Sequence, residues 1–185
     1  MNKFSNLKPE KQPDDNKKVV YEDPNLKVIK YEDWSIVSHR DVVVVIPYLI
    51  EINKFVIRQE YVPSYKLVDG QELHIVLVGG GIEKGESPEE AMLRELQEEA
   101  GIVVRPNFKV VMDKPLFISK GCMNKIYPCI LTLTEADYHE ISVDKTQEHK
   151  MDKVAKLDLK YANTLNVSDL ITELMMERFK KYANL

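Results

Sequence analysis

The sequence predicts an α/β or α+β fold in which helices pack on a mixed β-sheet. The run DVVVVIPYLI (41–50) is continuously apolar after Asp41, as in a strand that is covered on both faces, and LHIVLV (73–78) indicates another buried strand. Two other segments, 88–100 and 167–182, place apolar residues at helical spacing. Strands buried on both faces need such helices as cover, so the two patterns together predict a layered core.

Composition and charge are those of a soluble globular protein. The chain has 185 residues, of which 44% are hydrophobic and 30% are charged. A formal net charge of −4 argues against a surface that holds nucleic acid by its phosphates, so DNA is not an expected partner. No segment approaches the length of a membrane span, and the N-terminus lacks the apolar core of a signal peptide. We therefore expect a cytoplasmic protein without a membrane partner, in which Cys122 and Cys129 are reduced thiols.

Changes in composition divide the chain into a mobile N-terminal segment, residues 1–18, and a single domain, residues 19–185. Residues 1–18 are mostly Lys, Asp, Asn and Pro, with few apolar side chains to bury. Residues 19–39 contain LKVIKY and WSIVSH, which are typical of a β-hairpin or small sheet. Further strands are expected in 54–62, 108–112, 115–119 and 125–134, and a charged loop at 144–153.

Clear start and stop signals bound the first helix. Ser87 suits the N-cap, Pro88 suits the first helical position, and Glu90 completes a capping box. Gly101 supplies the positive φ that ends the helix. At about 100° per residue, the helix has an apolar side and an acidic side. The apolar side consists of Met92, Leu93, Leu96 and Ala100, and the acidic side of Glu95, Glu98 and Glu99, with Arg94 at its edge.

The acidic side predicts a site for a divalent cation. Crowded carboxylates repel each other unless a positive partner lies among them. The glycines of the preceding loop (Gly79, Gly80, Gly81 and Gly85) let it approach closely and turn its carbonyls toward the same place. Three carboxylates and a carbonyl suit a hard cation, Mg²⁺ above all, which can clamp phosphate oxygens and activate a water. The simpler alternative is a solvated acidic helix.

The pattern as a whole resembles the Nudix box. Residues 80–102 match G-x5-E-x7-R-E-U-x-E-E-x-G-U, in which U is aliphatic, without a mismatch. The matching residues are Gly80, Glu86, Arg94, Glu95, Leu96, Glu98, Glu99, Gly101 and Ile102. The chain is thus similar to hydrolases that act on a nucleoside diphosphate linked to another moiety. The resemblance implies an α/β/α sandwich with a mixed sheet, extended here by an N-terminal β-hairpin or sheet.

The resemblance also implies a mechanism. The carbonyl of Gly79 and the carboxylates of Glu95, Glu98 and Glu99 would bind one to three Mg²⁺ ions, for which Mn²⁺ is a possible substitute. A metal-bound water would attack one phosphorus of a diphosphate, with Glu98, Glu99 and Arg94 among the catalytic residues. Arg94 and Glu86 would brace the carboxylates.

Outside the box, residues 21–182 are similar to the ADP-ribose pyrophosphatase and nucleoside-diphosphate-sugar hydrolase branch. DVVVVIPY and RQEYVP resemble a strand and an R/E-Q-y-R-x-P segment of that branch. In the second, Arg58 could hold a phosphate and Tyr61 could stack on a base, although a tyrosine at a strand end also serves packing. The branch carries a glutamate, as base or metal ligand, in a mobile acidic loop, and Glu148 lies at that place. Its N-terminal sheet reaches a partner subunit, which implies a homodimer formed through residues 19–39.

The chain departs from that branch on both sides of the box. VLVGG places Val76 and Val78 where the branch usually has Glu and Pro. SKGCMNK places Lys120 in place of a Pro and Lys125 in place of a Glu. These changes leave the metal chemistry intact. The two lysines favour a substrate more anionic than ADP-ribose, unless they face solvent.

Three functions from different classes follow. The favoured one is Mg²⁺-dependent hydrolysis of a nucleoside diphosphate sugar to a nucleoside monophosphate and a sugar phosphate. The second is hydrolysis of nucleoside triphosphates or RNA 5′ ends, which the β-rich region 19–39 disfavours. The third is a non-catalytic nucleotide sensor, which the retention of every carboxylate disfavours.

Overall fold

The computed structural model describes residues 17–106, 108–143, 152–167 and 169–185 of the chain. The earlier part of the chain contains β1 (Lys17–Glu22), β2 (Lys27–Tyr31), β3 (Trp34–Ser38), β4 (Val42–Leu49), β5 (Lys54–Tyr61), α1 (Pro63–Asp69), β6 (Leu73–Val76), β7 (Val78–Gly81) and α2 (Pro88–Ala100). The later part contains β8 (Ile102–Val104), β9 (Lys109–Met112), β10 (Leu116–Phe117), β11 (Lys125–Leu133), β12 (Tyr138–Glu140), β13 (Lys153–Asp158), a 3₁₀ helix (Leu159–Asn163) and α3 (Leu170–Tyr182).

The chain folds as two compact units, and the first is a small antiparallel sheet. This unit contains residues 17–39 and Ser119–Met123, and its strands lie in the order β1-β2-β3. The segment Ser119–Met123 joins β3 through Val37, whose N–H donates to the Gly121 carbonyl and whose carbonyl accepts from Met123. The expected extra N-terminal sheet is confirmed, with β1 beginning two residues before position 19. Residues 1–16, expected to be mobile, lie outside the described residues.

The second unit, Arg40–Ile118 with Asn124–Leu185, is built on a mixed sheet. Its described strands form an eight-stranded sheet with the path β10-β11-β4-β5-β13, to which β6, β7 and β9 are added. β11 runs parallel to β4, and the other pairs of this sheet are antiparallel. The mixed sheet that the sequence predicted is therefore confirmed.

Both faces of this sheet are covered, which explains the continuous apolar runs. Val43 and Val45 of β4 and Val56 of β5 belong to the core that includes the apolar side of α2. Ile46 of β4 and Phe55 and Ile57 of β5 belong to a second core. This core also includes Met175, Met176 and Phe179 of α3. Successive strand residues point to opposite faces, so two helices on opposite faces bury both sets. This is the predicted α/β/α sandwich.

The run 73–78, predicted as one strand, forms two strands that belong to different neighbours. Val76 of β6 pairs with Arg58 of β5, whereas Val78 of β7 pairs with Val45 of β4. β4 and β5 pair directly only near Leu49, so the chain crosses from one to the other at Leu77, where they have separated. Both halves are apolar, and periodicity therefore gave no sign of the crossing.

Several short elements were not predicted. α1, β8 and β12 are each only a few residues long, and β13 is polar and half-exposed, so none has a strong periodic pattern. The strand expected at 115–119 is reduced to Leu116–Phe117. The charged segment expected as a loop to residue 153 instead enters β13 at Lys153. In the described part of the chain, no helix is long and apolar enough to cross a membrane.

Local signals set the ends of α2, as the sequence predicted. Ser87 accepts from the Glu90 N–H at 3.2 Å, and Glu90 accepts from the Ser87 N–H at 2.8 Å, which completes the capping box. Gly101 has a φ of 66° and donates back to the last turn. Because both ends are fixed, the side chains along α2 have a fixed direction relative to the sheet.

We expect Gly101→Ala to destabilise the protein more than Gly70→Ala. Both glycines cap helices at positive φ, which costs an alanine about 1–2 kcal/mol. A Cβ on Gly101 would also lie less than 3.0 Å from the carbonyl oxygen of Ile141, whereas a Cβ on Gly70 would have no atom within 4 Å. Urea denaturation of both variants measures the difference, and equal losses of unfolding free energy would contradict the role of the clash.

Candidate functional site

The apolar side of α2 lies against the sheet and aims the acidic side away from it. Met92 and Leu96 are fully buried. Glu95 is only 7% exposed, whereas 54% of the Glu98 side chain is exposed. The acidic side therefore extends from the protein interior to solvent.

β7 approaches this side closely because two of its residues lack a side chain. A Cβ on Gly80 would lie less than 3.0 Å from the Glu95 carboxylate, and a Cβ on Gly79 would lie as close to the Val43 carbonyl oxygen. The N–H of Gly79 donates to Oε2 of Glu99 at 2.9 Å. The glycines thus bring main-chain groups within hydrogen-bonding distance of the α2 carboxylates.

Arg94 holds three carboxylates at the N-terminal part of this side. Its Nε and Nη2 donate to the two oxygens of Glu86 at 2.9 and 3.0 Å. Its Nη1 donates to Glu95 at 2.7 Å and to Glu98 at 3.0 Å, and Nη2 also donates to the Gly81 carbonyl at 2.9 Å. The planar guanidinium therefore fixes the loop before α2 and two turns of the helix together.

Arg58 of β5 holds Glu99, the last glutamate of the motif. Only 2% of Arg58 is exposed, and its Nη1 contacts Oε1 of Glu99 and, at 3.3 Å, Oε2 of Glu60. Its Nη2 contacts Oδ2 of Asp152 at 3.3 Å, and Oδ1 of Asp152 accepts from the Tyr61 N–H at 3.1 Å. A buried guanidinium thus joins α2 to β5 and to the start of β13.

The pKa values of the two carboxyls closest to Arg94 are shifted in opposite directions. Burial raises the pKa of the Glu95 carboxyl, and the hydrogen bond and charge of Arg94 only partly oppose this effect. Hydrogen bonds from Arg94 lower the pKa of Glu86, which is nearer to solvent. Glu86 therefore keeps its negative charge to lower pH than an unpaired glutamate would, whereas Glu95 takes up a proton more readily than an exposed glutamate would.

The predicted metal ligands are divided between the two arginines. Glu95 and Glu98 contact Arg94, whereas Glu99 faces Arg58 and the Gly79 N–H. Among residues 17–106, 108–143, 152–167 and 169–185, no group of three or more His, Cys, Asp or Glu is arranged to hold a metal ion. The sequence argument required a positive partner among these carboxylates, and the guanidinium groups of Arg94 and Arg58 supply part of that positive charge.

The donor set still fits a divalent cation such as Mg²⁺. Every candidate ligand is an oxygen, the type that Mg²⁺ prefers. Each arginine contacts carboxylates of three described residues, so negative charge exceeds positive charge around the acidic side. That excess favours the binding of a cation near Glu98, the most exposed of the three glutamates on the acidic side of α2.

A polar cavity of about 630 Å³ opens beside Glu99. Its wall includes Arg58, Asp152 and residues of β12 and β13, among them Glu140 and Lys156, which form an ion pair. The volume is in the range of small-molecule sites, and the lining carries both signs of charge.

Three of the predicted substrate-binding residues lie outside this cavity wall. Tyr61 ends β5, with Lys66 Nζ 5.5 Å from its ring centroid. Lys125 begins β11, and its N–H donates to Asp41 at 2.9 Å, near the end of β7. Lys120 is exposed and belongs to the first unit. Glu148, the predicted mobile base, lies outside the described residues.

The structure shows what the Arg58 side chain contacts and adds Asp152 to its surroundings. The Arg58 guanidinium is almost fully buried and contacts carboxylates, so a phosphate would compete with them for it. Asp152 lies in the segment predicted as a charged loop, and its carboxylate accepts from Arg58. The two residues are 94 positions apart, and only the pairing of β13 with β5 reveals their contact.

We expect Gly80→Ala to weaken divalent cation binding by at least about tenfold, as loss of a residue supporting a metal ligand does. The new methyl group would displace the Glu95 carboxylate and its contact with Arg94. Gly81→Ala is the control, because its Cβ would meet only the flexible side chain of Arg40, at 3.3 Å. Mn²⁺ titration followed by electron paramagnetic resonance measures the Mn²⁺ affinity of both variants, and equal affinities would contradict the prediction.

Comparison with known proteins shows the fold and the motif. The solved structure described as "Crystal structure of ADP compounds hydrolase" is similar over 91% of this chain and 92% of that chain, with a TM-score of 0.67 and 17% identity. The RNA pyrophosphohydrolase of a Nitratiruptor species is 43% identical over 53 residues, or 26% of this chain. That match spans only 32% of the relative's length.

A family model described as NUDIX domain matches residues 39–158. The match covers more than half of the chain and includes all of α2, β7 and the capped loop between them. Every position of the motif lies within it, and Arg94, Glu95, Glu98 and Glu99 form the acidic side of α2 described above. The chain therefore belongs to the Nudix family.

Proposed function

We propose that the protein is a Mg²⁺-dependent pyrophosphohydrolase that cleaves the diphosphate of a nucleoside diphosphate sugar. The products would be a nucleoside monophosphate and a sugar phosphate, and Mn²⁺ could replace Mg²⁺. One observation carries this proposal. Around α2, the helix of the family motif, carboxylates outnumber the arginines that contact them, and a cavity of about 630 Å³ lies beside Glu99. A cytoplasmic location remains part of the proposal.

The chain's own residues would hold and orient the cation. Glu95, Glu98, Glu99 and the Gly79 carbonyl would be its ligands, within the arrangement fixed by Arg94. When bound, the cation would neutralise phosphate charge and supply a water of lowered pKa. Arg94 would keep Glu95 and Glu98 in position while its contacts with Glu86 fix its own. Such prior ordering lowers the cost of reaching the reactive geometry.

The substrate class is supported by the fold and by charge. The similar solved structure is an ADP compounds hydrolase, and its likeness extends over nearly the whole chain. Lys153 lines the cavity beside Glu99, as does Lys156, which is paired with Glu140. Lys125 lies near the other end of the acidic side, where β7 ends. Cations at both ends favour an elongated, strongly anionic substrate over a neutral one.

A second candidate is removal of pyrophosphate from RNA 5′ ends or nucleoside triphosphates. The local identity with an RNA pyrophosphohydrolase supports it. A non-catalytic nucleotide sensor is the third candidate. One panel separates them: nucleotide sugars, dinucleotides, nucleoside triphosphates and a 5′-triphosphate RNA are each incubated with Mg²⁺, and the products are separated by charge. Release of a sugar phosphate supports the first candidate, release of pyrophosphate the second, and nucleotide binding without turnover the third.

We expect Glu98→Gln to lower kcat by several orders of magnitude while leaving the melting temperature unchanged. Glu98 is largely exposed, so the change removes a cation ligand rather than a core contact. Glu89→Gln is the matched control, because Glu89 is an exposed acid in the first turn of the same helix. Activity of the Glu98 variant within about tenfold of the wild type, or less than about 1.4 kcal/mol of barrier, would remove Glu98 from the mechanism.

The general base is proposed to be Glu148. A water bound to Mg²⁺ still benefits from a carboxylate that takes its proton. We expect Glu148→Gln to lower kcat by about 10²–10⁴ with little change in KM. Asp144→Asn, in the same segment, should do far less. Equal behaviour of the two variants would assign the base to another residue.

We also propose a homodimer formed through the first unit. Its sheet exposes Trp34, which is 52% exposed, together with Val20 and Tyr21 of β1. Such apolar side chains on a small sheet favour a protein contact. Removal of residues 1–39 should weaken both association and substrate affinity. Light scattering at micromolar concentration tests this, and a fully active monomer would contradict it.

A further inference from the structure

We propose that Arg58 is a positioning residue that fixes the Glu99 carboxylate, and that Asp152 holds Arg58 in place. The inference rests on the proposed function, because Glu99 matters as a ligand of the catalytic cation. It gives Arg58 a role through Glu99 and not through the substrate. It also makes the start of β13 part of the support for the acidic side of α2.

The burial of Arg58 is the first observation. Arg58 is 2% exposed and is among the largest fully buried side chains of the described chain. A buried guanidinium is strongly unfavourable unless charges and hydrogen bonds compensate it. Glu99 and Asp152, whose side chains are 13% and 9% exposed, supply that compensation. The arginine is therefore held in one place by its surroundings.

The orientation of Glu99 is the second observation. Oε1 contacts Nη1 of Arg58, and Oε2 accepts from the Gly79 N–H at 2.9 Å. With a partner on each oxygen, the carboxylate plane is set before any ligand arrives. Glu98 differs, since it is largely exposed and contacts Arg94 through one oxygen. Of the two adjacent glutamates, Glu99 is the one whose position depends on a residue outside the motif.

The two contacts of Asp152 are the third observation. Oδ2 contacts Nη2 of Arg58, and Oδ1 accepts from the Tyr61 N–H, so one carboxylate binds β5 at two points. β13 continues this link by pairing with β5 from Lys153↔Gln59 to Asp158↔Lys54. Asp152 thus helps to neutralise Arg58 through Nη2, whereas Glu99 contacts Nη1, and the two contacts together fix the direction of the guanidinium.

A direct phosphate contact does not fit these observations. Arg58 contributes to the cavity wall, but its guanidinium already contacts carboxylates of three described residues. A phosphate would have to displace one of those carboxylates to bind it. Positioning of Glu99 requires no such exchange.

The test uses full-length Arg58→Gln, Arg58→Lys and Asp152→Asn, with Lys54→Gln as the control. Lys54 pairs with Asp158 across the same two strands, but at their opposite end, with a distance of 3.7 Å. The readouts are Mn²⁺ affinity without substrate, kcat, nucleotide KM and melting temperature. We expect Arg58→Gln and Asp152→Asn to weaken Mn²⁺ binding by at least about tenfold and to lower kcat, with nucleotide KM changed less than about threefold. Lys54→Gln should leave Mn²⁺ affinity unchanged.

A double-mutant cycle gives the sharpest outcome. If Arg58 acts through Glu99, adding Arg58→Gln to Glu99→Gln should change Mn²⁺ affinity by less than about twofold. An equal effect in both backgrounds would overturn the inference, as would a raised KM with unchanged Mn²⁺ affinity. A fall in melting temperature alone would reduce Arg58 to a structural role and overturn it too. If Arg58→Gln does not fold, Arg58→Lys and Asp152→Asn decide by the same readouts.

The Mn²⁺ titration keeps this inference separate from the proposed function. Should the wild type bind Mn²⁺ but hydrolyse none of the nucleotides, the proposed function fails while the loss of affinity in Arg58→Gln still supports the inference. Should the wild type hydrolyse a nucleotide while Arg58→Gln binds Mn²⁺ as tightly as the wild type, the inference fails and the proposed function stands. A wild type that binds no Mn²⁺ overturns both.

Discussion

The ion pairs of Arg58 and Arg94 are the interaction on which the candidate site depends. Without them, the carboxylates around α2 would repel each other across a few ångströms. A guanidinium group has several donors in one plane, so it can bind carboxylates from different segments at once. Arg94 joins the loop residue Glu86 to its own helix, and Arg58 joins α2 to two strands. The acidic side therefore has a defined shape that does not depend on a bound cation.

Family membership and the choice of substrate rest on different parts of the molecule. The motif residues extend from β7 through α2 to the first residue of β8, and they include all the proposed cation ligands except Gly79. The cavity beside Glu99 is lined largely by Glu140, Ser142, Val143 and residues of β13, which lie outside that motif. A solved structure with 17% identity shares the fold, but it leaves these side chains free to differ. The choice of substrate therefore depends on β12 and β13 more than on α2.

The sequence predicted best what is decided locally. The ends of α2 follow from Ser87, Glu90 and Gly101, each acting within one turn, and the structure has the same bounds. The covered strands were visible because both faces of β4 and β5 are apolar. The crossing at Leu77 was not visible, since it depends on where β4 and β5 separate. The contact between Arg58 and Asp152 was not predicted either, because it exists only after β13 has paired with β5. A lone arginine in a strand looks the same whether a phosphate or a carboxylate will neutralise it.

The central position of β4 has a consequence for how the chain is made. β4 is complete only when β7 pairs with its first residues and β11 pairs with it from Val42 to Leu49. On a ribosome, β4 emerges long before β11, which ends at Leu133. During that interval an apolar strand has an open edge, the kind of surface that joins other chains. The mixed sheet that supports the site thus makes the nascent chain depend on protection until most of it has been synthesised.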